Sequence, residues 1–378
     1  MTHSRFSSGF VRTRLGIATL RALSIVLLVL WFGSALTTSA RAQAGSITGP
    51  GSRIPWNGTN WYLAGTNYAW YNYGTDFGTG AWGKYTNWNQ IASDFATMHG
   101  QGVHVVRWWI FADGRYSPEF NADGTVSGLD SQFFSDIDNA LSLAAQYNVY
   151  LMPTLVDFTI FQTGFTNSGV SGGGHAALIT NATVQQSYLD KALKPLLQHV
   201  AASPYHNHVI AYDIVNEPEW TISGLGNSAP NFSLSAVQSF TQKCASYIHQ
   251  YGGAYATLGS GTPYFTVNWK NLGLDFYEAH YYPNFDWNGP GTGLPSYASL
   301  NLDRPCIVGE FATTDTSYNI GDTNVQSAQW YMNTIPTLGY AGAIGWGYNA
   351  MDSNCSWSKF QTVYTNFVNA FPSVIGPH

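Results

Sequence analysis

The chain contains few charged residues and few cysteines, and both shortages narrow its function. Only 10% of its 378 residues are charged, and the formal net charge is −6. An acidic chain is a poor match for the phosphates of nucleic acids or for anionic lipid. The three cysteines (Cys244, Cys306 and Cys355) include no CxxC pair and no Cys/His spacing typical of a metal site. We therefore expect no nucleic-acid partner, no metal and no cofactor.

Several catalytic signatures are also missing. The sequence has no HExxH motif of the zinc proteases. The first strand-like run, Leu63-Ala-Gly-Thr-Asn67, does not continue into a glycine-rich phosphate loop. Residues 45–378 contain no linker-like stretch, charge block or internal repeat. These absences argue against a zinc protease or a dinucleotide-binding enzyme, and they favour one domain over residues 45–378.

The first 44 residues have the pattern of a secretory signal peptide. Four arginines between positions 5 and 21 precede a short apolar stretch at 25–32, and Ala40-Arg41-Ala42 fits a small-x-small cleavage site. An uncleaved anchor is the alternative, but the apolar stretch is shorter than the roughly 20 residues that a spanning helix needs. We expect residues 1–44 to be removed and the protein to be secreted, extracellular or periplasmic, without stable membrane association. Losing five arginines and no acid takes the net charge from −6 to −11.

Aromatic residues are abundant, at 16% of the chain. Tyr and Trp combine a flat apolar face with a polar edge, which suits sugar binding. Large core side chains are the alternative explanation for many of these rings. Five tryptophans near predicted strand ends are candidates for either role: Trp70, Trp108, Trp109, Trp220 and Trp287.

Apolar, strand-like runs alternate with helical patterns along the chain. The predicted strands are 61–67, 103–108, 149–155, 209–215, 255–259, 274–280, 305–310 and 342–346. The predicted helices are 87–98, 131–147, 184–202, 235–249, 323–338 and 356–371, with no clear helix in the fifth and sixth connections. Eight such units predict an α/β fold of the (β/α)8 TIM-barrel type in a single domain. A doubly wound open sheet is the alternative.

Two glutamates end apolar runs in matching contexts. Asn216-Glu217-Pro218 follows the run 209–215, and Glu310 ends the run Cys306-Ile-Val-Gly-Glu310. A lone strand-end glutamate is usually a solvated residue, whereas two in similar positions favour a shared function. Two carboxylates that face one pocket are what hydrolysis of a glycosidic bond requires.

Other polar or aromatic residues fall at the same ends of successive strands. In a TIM barrel the functional residues gather at the C-terminal ends of the strands. The residues at these ends are Arg107, Asp157, Asn216, Glu217, His280, Tyr282, Glu310 and Trp346. His280 as a satisfied core histidine and Trp346 as barrel packing are the structural alternatives.

The motifs together resemble the barrel glycoside hydrolases, most closely family 5, which contains cellulases and mannanases. The matching segments are Val105-Val-Arg107, Asn216-Glu217-Pro218, His280-Tyr-Tyr282, Gly309-Glu310-Phe311 and Gly345-Trp346. Two segments resemble the mannanases more than the cellulases: the stretch from Val106 to Gly114 and the opening Gly65-Thr-Asn67-Tyr68. One position departs from the cellulase pattern: Asp157 follows the third strand where cellulase-type members often have a histidine.

The resemblance implies roles for the site residues. Glu217 would be the general acid/base, with a pKa raised by burial and by the second carboxylate. Glu310 would be the nucleophile, kept ionised by Arg107 and Tyr282. Retention of configuration would require carboxyl groups about 5–5.5 Å apart.

The remaining site residues would bind sugar. The resemblance implies that Asn216 contacts the hydroxyl next to the reacting carbon and that Trp346 stacks under the ring. Arg107, Tyr282 and the neighbouring His280 are the other predicted substrate-binding residues.

Three other nearby acids are not expected to take part in catalysis. Glu219 lies beyond the strand tip, while Asp213 and Glu278 lie deeper in their strands and are expected to make structural hydrogen bonds.

These observations predict an exported, monomeric, retaining β-glycoside hydrolase that acts on a β-linked polysaccharide or oligosaccharide, with β-mannan or β-glucan favoured. Two alternatives remain open at this point. One is an exo-acting β-glycosidase or transglycosylase on small β-glycosides, and the other is a non-catalytic carbohydrate-binding barrel.

The cysteines are predicted to be free. Cys306 opens the seventh strand, Cys355 lies in the loop after the eighth, and Cys244 lies on a helix after the fourth. These positions are too far apart in a barrel for the Cα separation of about 7 Å or less that a disulfide needs.

Overall fold

Eight parallel strands close into a barrel in the computed structural model, which describes residues 47, 51–80, 86–167, 169–226, 228–283, 293–314, 326–350 and 352–372. Neighbouring strands in sequence pair in space, and the last strand pairs with the first through Trp346 and Asn67. All eight predicted runs form these strands. Their bounds are β1 Leu63–Asn67, β2 Val105–Trp109, β3 Tyr150–Asp157, β4 Ala211–Asn216, β5 Tyr255–Ser260, β6 Tyr277–Tyr281, β7 Cys306–Phe311 and β8 Gly342–Trp346. The predicted (β/α)8 barrel is confirmed.

The strands are buried on both faces. Every residue of β4, Ala211–Asn216, is buried, and the same holds for β5 to β8. Burial on both faces is why these segments read as nearly continuous apolar runs rather than as alternating patterns. The polar side chains that interrupt them therefore lie inside the barrel, where each needs a partner.

Helices cover the outside of the barrel. Their bounds are α1 Trp88–Gly100, α2 Ser131–Gln146, α3 Ala182–Tyr188, α4 Lys194–Ala202, α5 Leu234–Tyr247, α6 Ala328–Thr337 and α7 Trp357–Ala370. Polar side chains fix several of their starts: Asn87, Asp130, Ser233 and Ser327 each accept a hydrogen bond from the backbone N–H three residues later. Short 3-10 helices at Pro263–Trp269 and Tyr297–Leu300 lie in the fifth and sixth connections, where no clear helix was predicted.

The single helix predicted over 184–202 is divided. A π-helical turn at Leu189–Leu193 joins α3 to α4, and within it the N–H of Lys194 donates to the carbonyl of Leu189. Pro195 follows directly and has no N–H to continue the regular pattern. The helix predicted over 323–338 begins later, as α6, and residues 323–325 lie outside the described part of the chain.

Within the described residues, three two-stranded hairpins supplement the barrel, and sequence analysis did not predict them. They pair Ile54–Trp56 with Thr59–Trp61, Glu119–Phe120 with Val126–Gly128, and Phe165–Asn167 with Val170–Gly172. Each strand has only two or three residues, which is too few to show an alternating pattern of apolar and polar residues in the sequence.

The three cysteines are free thiols in the structure, as predicted. Cys244 and Cys306 are buried, and Cys355 is partly exposed. The segment predicted to be a signal peptide lies outside the described residues. Within the described ranges, no helix has both the length and the apolar character needed to cross a membrane.

Candidate active site

A cleft opens at the C-terminal ends of the strands, where the sequence places its polar residues. It contains about 780 Å³ of open space. Of the residues that the structure describes, seven aromatic side chains line it, namely Trp70, Tyr73, Trp109, Phe158, Trp220, Tyr282 and Trp346. The polar side chains in its wall are Asp157, Asn216, Glu217, Glu310, Asp352 and Asn354. Both predicted catalytic glutamates therefore face one shared cleft.

Arg107 is the buried cation beneath this cleft. Its side chain is fully buried and lies 2.6 Å from a carboxylate oxygen of Asp213, 2.9 Å from one of Glu278 and 2.6 Å from one of Glu310. It also donates to the side-chain oxygen of Asn216 at 2.8 Å. A buried carboxylate is tolerated only with charge or hydrogen-bond partners. Arg107 therefore holds three acids and one amide from three different strands in a fixed arrangement.

Two of these acids, Asp213 and Glu278, were assigned structural roles from sequence. The structure makes them counter-ions of Arg107 beneath the cleft. Asp213 also accepts from the Thr154 hydroxyl and from the Gly259 backbone N–H. A Cβ on Gly309 would lie 2.1 Å from an oxygen of Glu278, so only glycine fits there.

Glu217 directly follows β4 and has a left-handed backbone conformation, with φ 47° and ψ 52°. This conformation is uncommon for a residue with a side chain. The backbone N–H of Glu217 donates to the carbonyl of Gly259 at 2.7 Å. Its carboxylate accepts from the indole N–H of Trp220 and lies against His280 Nδ1, both at 2.8 Å. The turn thus directs the Glu217 side chain into the cleft wall.

Glu219, two residues further on, lies beyond the strand tip, in the 3-10 turn Pro218–Thr221, as expected. Its side chain is fully buried and accepts from Ser260, Gly261 and the indole of Trp269. These bonds tie the turn after β4 to the end of β5. Sequence could not reveal this role because the partners lie about 40 to 50 residues away.

Glu310 lies opposite Glu217. Oε1 of Glu310 contacts Arg107, and Oε2 accepts from the Tyr282 hydroxyl at 2.9 Å. The nearest ligand-type atoms of Glu217, His280 and Glu310 all lie within 4.8 Å of one another. This spacing is close to that of retaining glycosidases and well short of the roughly 6.5–9.5 Å of inverting ones.

His280 lies between the acids and is fully buried. Its Nδ1 is 2.8 Å from Glu217 and 3.6 Å from Glu310, and its Nε2 is 3.5 Å from Glu278. Burial alone would lower the pKa of His280, but the surrounding carboxylates raise it to about 10. Glu217, His280 and Glu310 have the donor atoms of a metal site. A protonated imidazole, however, has no lone pair to offer a metal ion.

The sequence analysis expects the higher pKa on Glu217, but in the structure Glu310 has the higher pKa of the two. Burial would raise the pKa of Glu217, but the hydrogen bond and charge of His280 lower it below the usual value. Burial raises the pKa of Glu310 to about 7, although His280 and Arg107 oppose this rise. The prediction of a raised pKa on Glu217 is wrong for the free protein. The protonated His280 donates a hydrogen bond to the Glu217 carboxylate and so stabilises its ionised form.

The aromatic residues are divided between cleft and core. Trp70, Trp109 and Trp346 form one wall, with ring centroids 5.0 to 6.0 Å apart. The indole of Trp346 donates to Asp352 at 2.6 Å, which fixes its orientation. Trp108 is instead a core residue, exposed by only 1%. Trp220 lines the cleft, and Trp287 lies outside the described residues.

All seven predicted site residues therefore gather at one end of the barrel. They are Arg107, Asn216, Glu217, His280, Tyr282, Glu310 and Trp346. The position of Glu278 beside the site could have been predicted from sequence, because Glu278 lies two residues before His280 and so on the same face of β6. Asp213 could not, since the pairing register of β4 with β5 shifts between Asp213 and Asn216.

Comparison with known proteins shows that the chain is similar to mannan endo-1,4-beta-mannosidases. No family model matches it. The chain is 27% identical over 350 residues to a mannan endo-1,4-beta-mannosidase of Mytilus edulis, covering 82% of this chain and 88% of the relative. It is 26% identical over 379 residues to the enzyme of the same name from Cryptopygus antarcticus, covering 89% and 92%.

Solved structures agree with the sequence relatives. The beta-1,4-mannanase of the sea hare Aplysia kurodai superimposes with a TM-score of 0.69 at 25% identity, over 84% of this chain and 95% of that one. The resemblance to the barrel glycoside hydrolases of family 5, which the sequence motifs indicate, is thereby confirmed, as is the prediction of a glycoside hydrolase.

Proposed function

We propose that the chain is an exported endo-β-1,4-mannanase that cleaves β-mannan with retention of configuration. The observation that carries this proposal is the opposition of Glu217 and Glu310 across one cleft, with atoms of both within 4.8 Å. The sequence relatives, which are named mannan endo-1,4-beta-mannosidases, support mannan over the other β-linked glycans.

The first chemical step would form a bond between enzyme and sugar. An oxygen of ionised Glu310 attacks the anomeric carbon while the glycosidic bond to the leaving sugar breaks. Glu217 gives its proton to the leaving oxygen, so the departing sugar leaves with a neutral hydroxyl. Arg107 and Tyr282, which contact one oxygen of Glu310 each, hold the carboxylate in place for attack.

The second step would release the sugar. Glu217, now ionised, takes a proton from a water molecule, whose oxygen attacks the same anomeric carbon. The bond to Glu310 breaks and its carboxylate is restored. Two inversions at one carbon give net retention.

The proton that Glu217 needs has a source in the free protein. The proton of His280 Nδ1 lies on a 2.8 Å contact to Glu217. Its transfer would give a neutral imidazole and a protonated Glu217, which is the form that the first step requires. The low pKa of Glu217 in the free protein is then a resting state that substrate binding must change.

Two further residues would bind the sugar at the cleavage point. Asn216 has an amide N–H donor beside the two glutamates and lines the cleft. Trp346 presents an indole fixed by Asp352, which suits stacking against the apolar face of a pyranose ring. We propose that both act in this way.

Export and a monomeric state are also proposed. The arginine-rich start, the short apolar stretch and the small-residue cleavage site support removal of residues 1–44. An acidic chain released outside the cell would act on carbohydrate without a nucleic-acid or membrane partner.

Reducing-sugar release from a panel of glycans tests the substrate. We expect the purified protein to release sugar from β-mannan much faster than from cellulose, mixed-linkage glucan or xylan. The Glu310→Gln variant, purified in parallel, serves as the blank for contaminating enzymes. Equal or faster release from one of the other glycans would overturn the mannan assignment.

The pKa values predict an unusual pH profile. Because burial raises the pKa of Glu310 to about 7, protonation removes the nucleophile at a higher pH than for an ordinary glutamate. We therefore expect kcat/KM to rise with pH through about 7 and to fall near 10, where His280 loses the proton that serves Glu217.

A matched variant identifies the group responsible for the acid limb. The Tyr282 hydroxyl lowers the pKa of Glu310 by hydrogen bonding. Tyr282→Phe should therefore move the acid limb of kcat/KM to higher pH. A wild-type limb near the ordinary glutamate value of about 4.3, unmoved in Tyr282→Phe, would contradict this account.

A further inference from the structure

Asp157 lies next to Asn216 at the mouth of the barrel. It ends β3, and the register of β3 with β4 places it directly beside Asn216. Its side chain is almost completely buried, yet it lines the cleft. Oδ2 of Asp157 accepts a hydrogen bond from Nδ2 of Asn216 at 2.8 Å. Burial raises the pKa of Asp157 to about 6, so the carboxylate is mostly ionised at neutral pH.

The amide of Asn216 is held between two groups of opposite hydrogen-bonding character. Arg107 can only donate, and it donates to Oδ1 of Asn216 at 2.8 Å. An ionised Asp157 can only accept, and it accepts from Nδ2. A rotation of the amide by half a turn would set donor against donor on one side and acceptor against acceptor on the other. These two neighbours therefore allow one orientation of the amide.

We infer that Asp157 is a positioning residue, whose carboxylate fixes the amide of Asn216 so that its second N–H is presented to a sugar hydroxyl in the cleft. This inference rests on the proposed function, in which Asn216 binds the hydroxyl next to the reacting carbon. One N–H of Nδ2 is used by Asp157, and the other has no acceptor among the described residues, so that it remains for a ligand. Asp157 thus acts on the sugar through Asn216, not by contact.

A second role of Asp157 must be separated from this one. Oδ1 of Asp157 accepts from the backbone N–H of Thr159 at 3.0 Å and so caps the 3-10 helix Phe158–Phe161. Loss of the cap alone would disturb the loop after β3. Serine is a good helix cap but is too short to reach Asn216, so Asp157→Ser keeps the cap and removes the positioning contact.

Asp157→Asn is the complementary variant. It preserves size, and its oxygen still caps Thr159, but its NH2 group then faces the NH2 group of Asn216. This contact favours the reversed amide, which would set Nδ2 of Asn216 against Arg107. We expect this near-isosteric change to be at least as harmful as Asp157→Ser, whereas a purely structural role would make it the milder one.

The test compares two substrates on purified full-length protein. One is an aryl β-mannobioside, and the other is its analogue that lacks the 2-hydroxyl on the sugar bonded to the aryl group. Misplacement of a binding group costs up to about 100-fold, so we expect kcat/KM on the first substrate to fall about 10–100-fold in both variants. On the deoxy analogue each variant should match wild type within about twofold.

A double-mutant cycle adds an independent readout. If Asp157 acts through Asn216, then Asp157→Ser should cost little more in the Asn216→Ala background, again within about twofold. Thermal unfolding of Asp157→Ser close to wild type would show that the cap is retained. An equal loss on both substrates, or additive losses in the cycle, would overturn the inference and give Asp157 a direct or purely structural role.

Failure of the proposed function gives a different result. A wild-type protein that cleaves the matched aryl β-cellobioside but not the mannobioside would contradict the mannan assignment. The kcat/KM of each variant relative to wild type is measured on whichever glycoside the wild type cleaves and on the 2-deoxy analogue of that glycoside. The positioning role of Asp157 is therefore judged separately from the identity of the sugar.

Discussion

Glu217→Gln and Glu310→Gln should each lower turnover of β-mannan by at least about 10²–10⁴-fold, the usual contribution of such groups. Glutamine keeps the size of each side chain but can neither attack the anomeric carbon nor supply a proton. Steady-state kinetics of the two purified variants measures the effect. Glu119, which is exposed on a short hairpin strand, gives the matched control, and Glu119→Gln should keep wild-type activity.

The two glutamates can also be told apart. An aryl glycoside with an activated leaving group needs no proton when the bond breaks, so Glu217→Gln should still release the first equivalent of aryl group rapidly. Glu310→Gln should show no such burst, because it lacks the nucleophile. A burst in Glu310→Gln, or near-wild-type turnover of mannan in either variant, would remove that glutamate from its proposed role.

Arg107→Met should destabilise the fold as well as abolish activity. The side chain of Arg107 is fully buried against Asp213, Glu278 and Glu310. Removing one partner of a buried ion pair costs about 3–5 kcal/mol, and methionine has a similar size. Denaturant unfolding of the variant at neutral pH measures this loss. The exposed Lys191 gives a control, since Lys191→Met should change stability by less than about 0.5 kcal/mol.

The loss in Arg107→Met should depend on pH. The pKa values of Asp213 and Glu310 are already raised by burial in the native protein, and loss of the cation raises them further. A carboxyl whose pKa is higher folded than unfolded destabilises the fold as pH rises. The deficit should therefore shrink as pH falls from about 7 to about 5. A deficit that does not change with pH would show that lost packing, not unpaired charge, causes the instability.

The strands and the principal site residues could be predicted from sequence because both leave local signals. Buried parallel strands produce continuous apolar runs, and the residue that ends each run faces the cleft, as Glu217 and Trp346 do. The helices were predicted less well where a single residue changes the backbone, as Pro195 does between α3 and α4. The short hairpins carried too few residues for any periodic signal.

The electrostatic network could not be predicted, because it depends on distances between strands. Nothing local shows that Arg107 is shared by three carboxylates, or that Asp157 holds the amide of Asn216. The lowered pKa of Glu217 has the same origin, since it depends on the 2.8 Å contact with His280. Sequence identified which groups take part, while their protonation states followed only from the packed barrel.

Proton NMR of the first products from a soluble β-1,4-manno-oligosaccharide tests the central proposal most directly. Double displacement by Glu310 and Glu217 predicts that the new reducing end appears first as the β-anomer and reaches the equilibrium mixture only later. Initial appearance of the α-anomer would require a single displacement by water. It would contradict the nucleophilic role of Glu310.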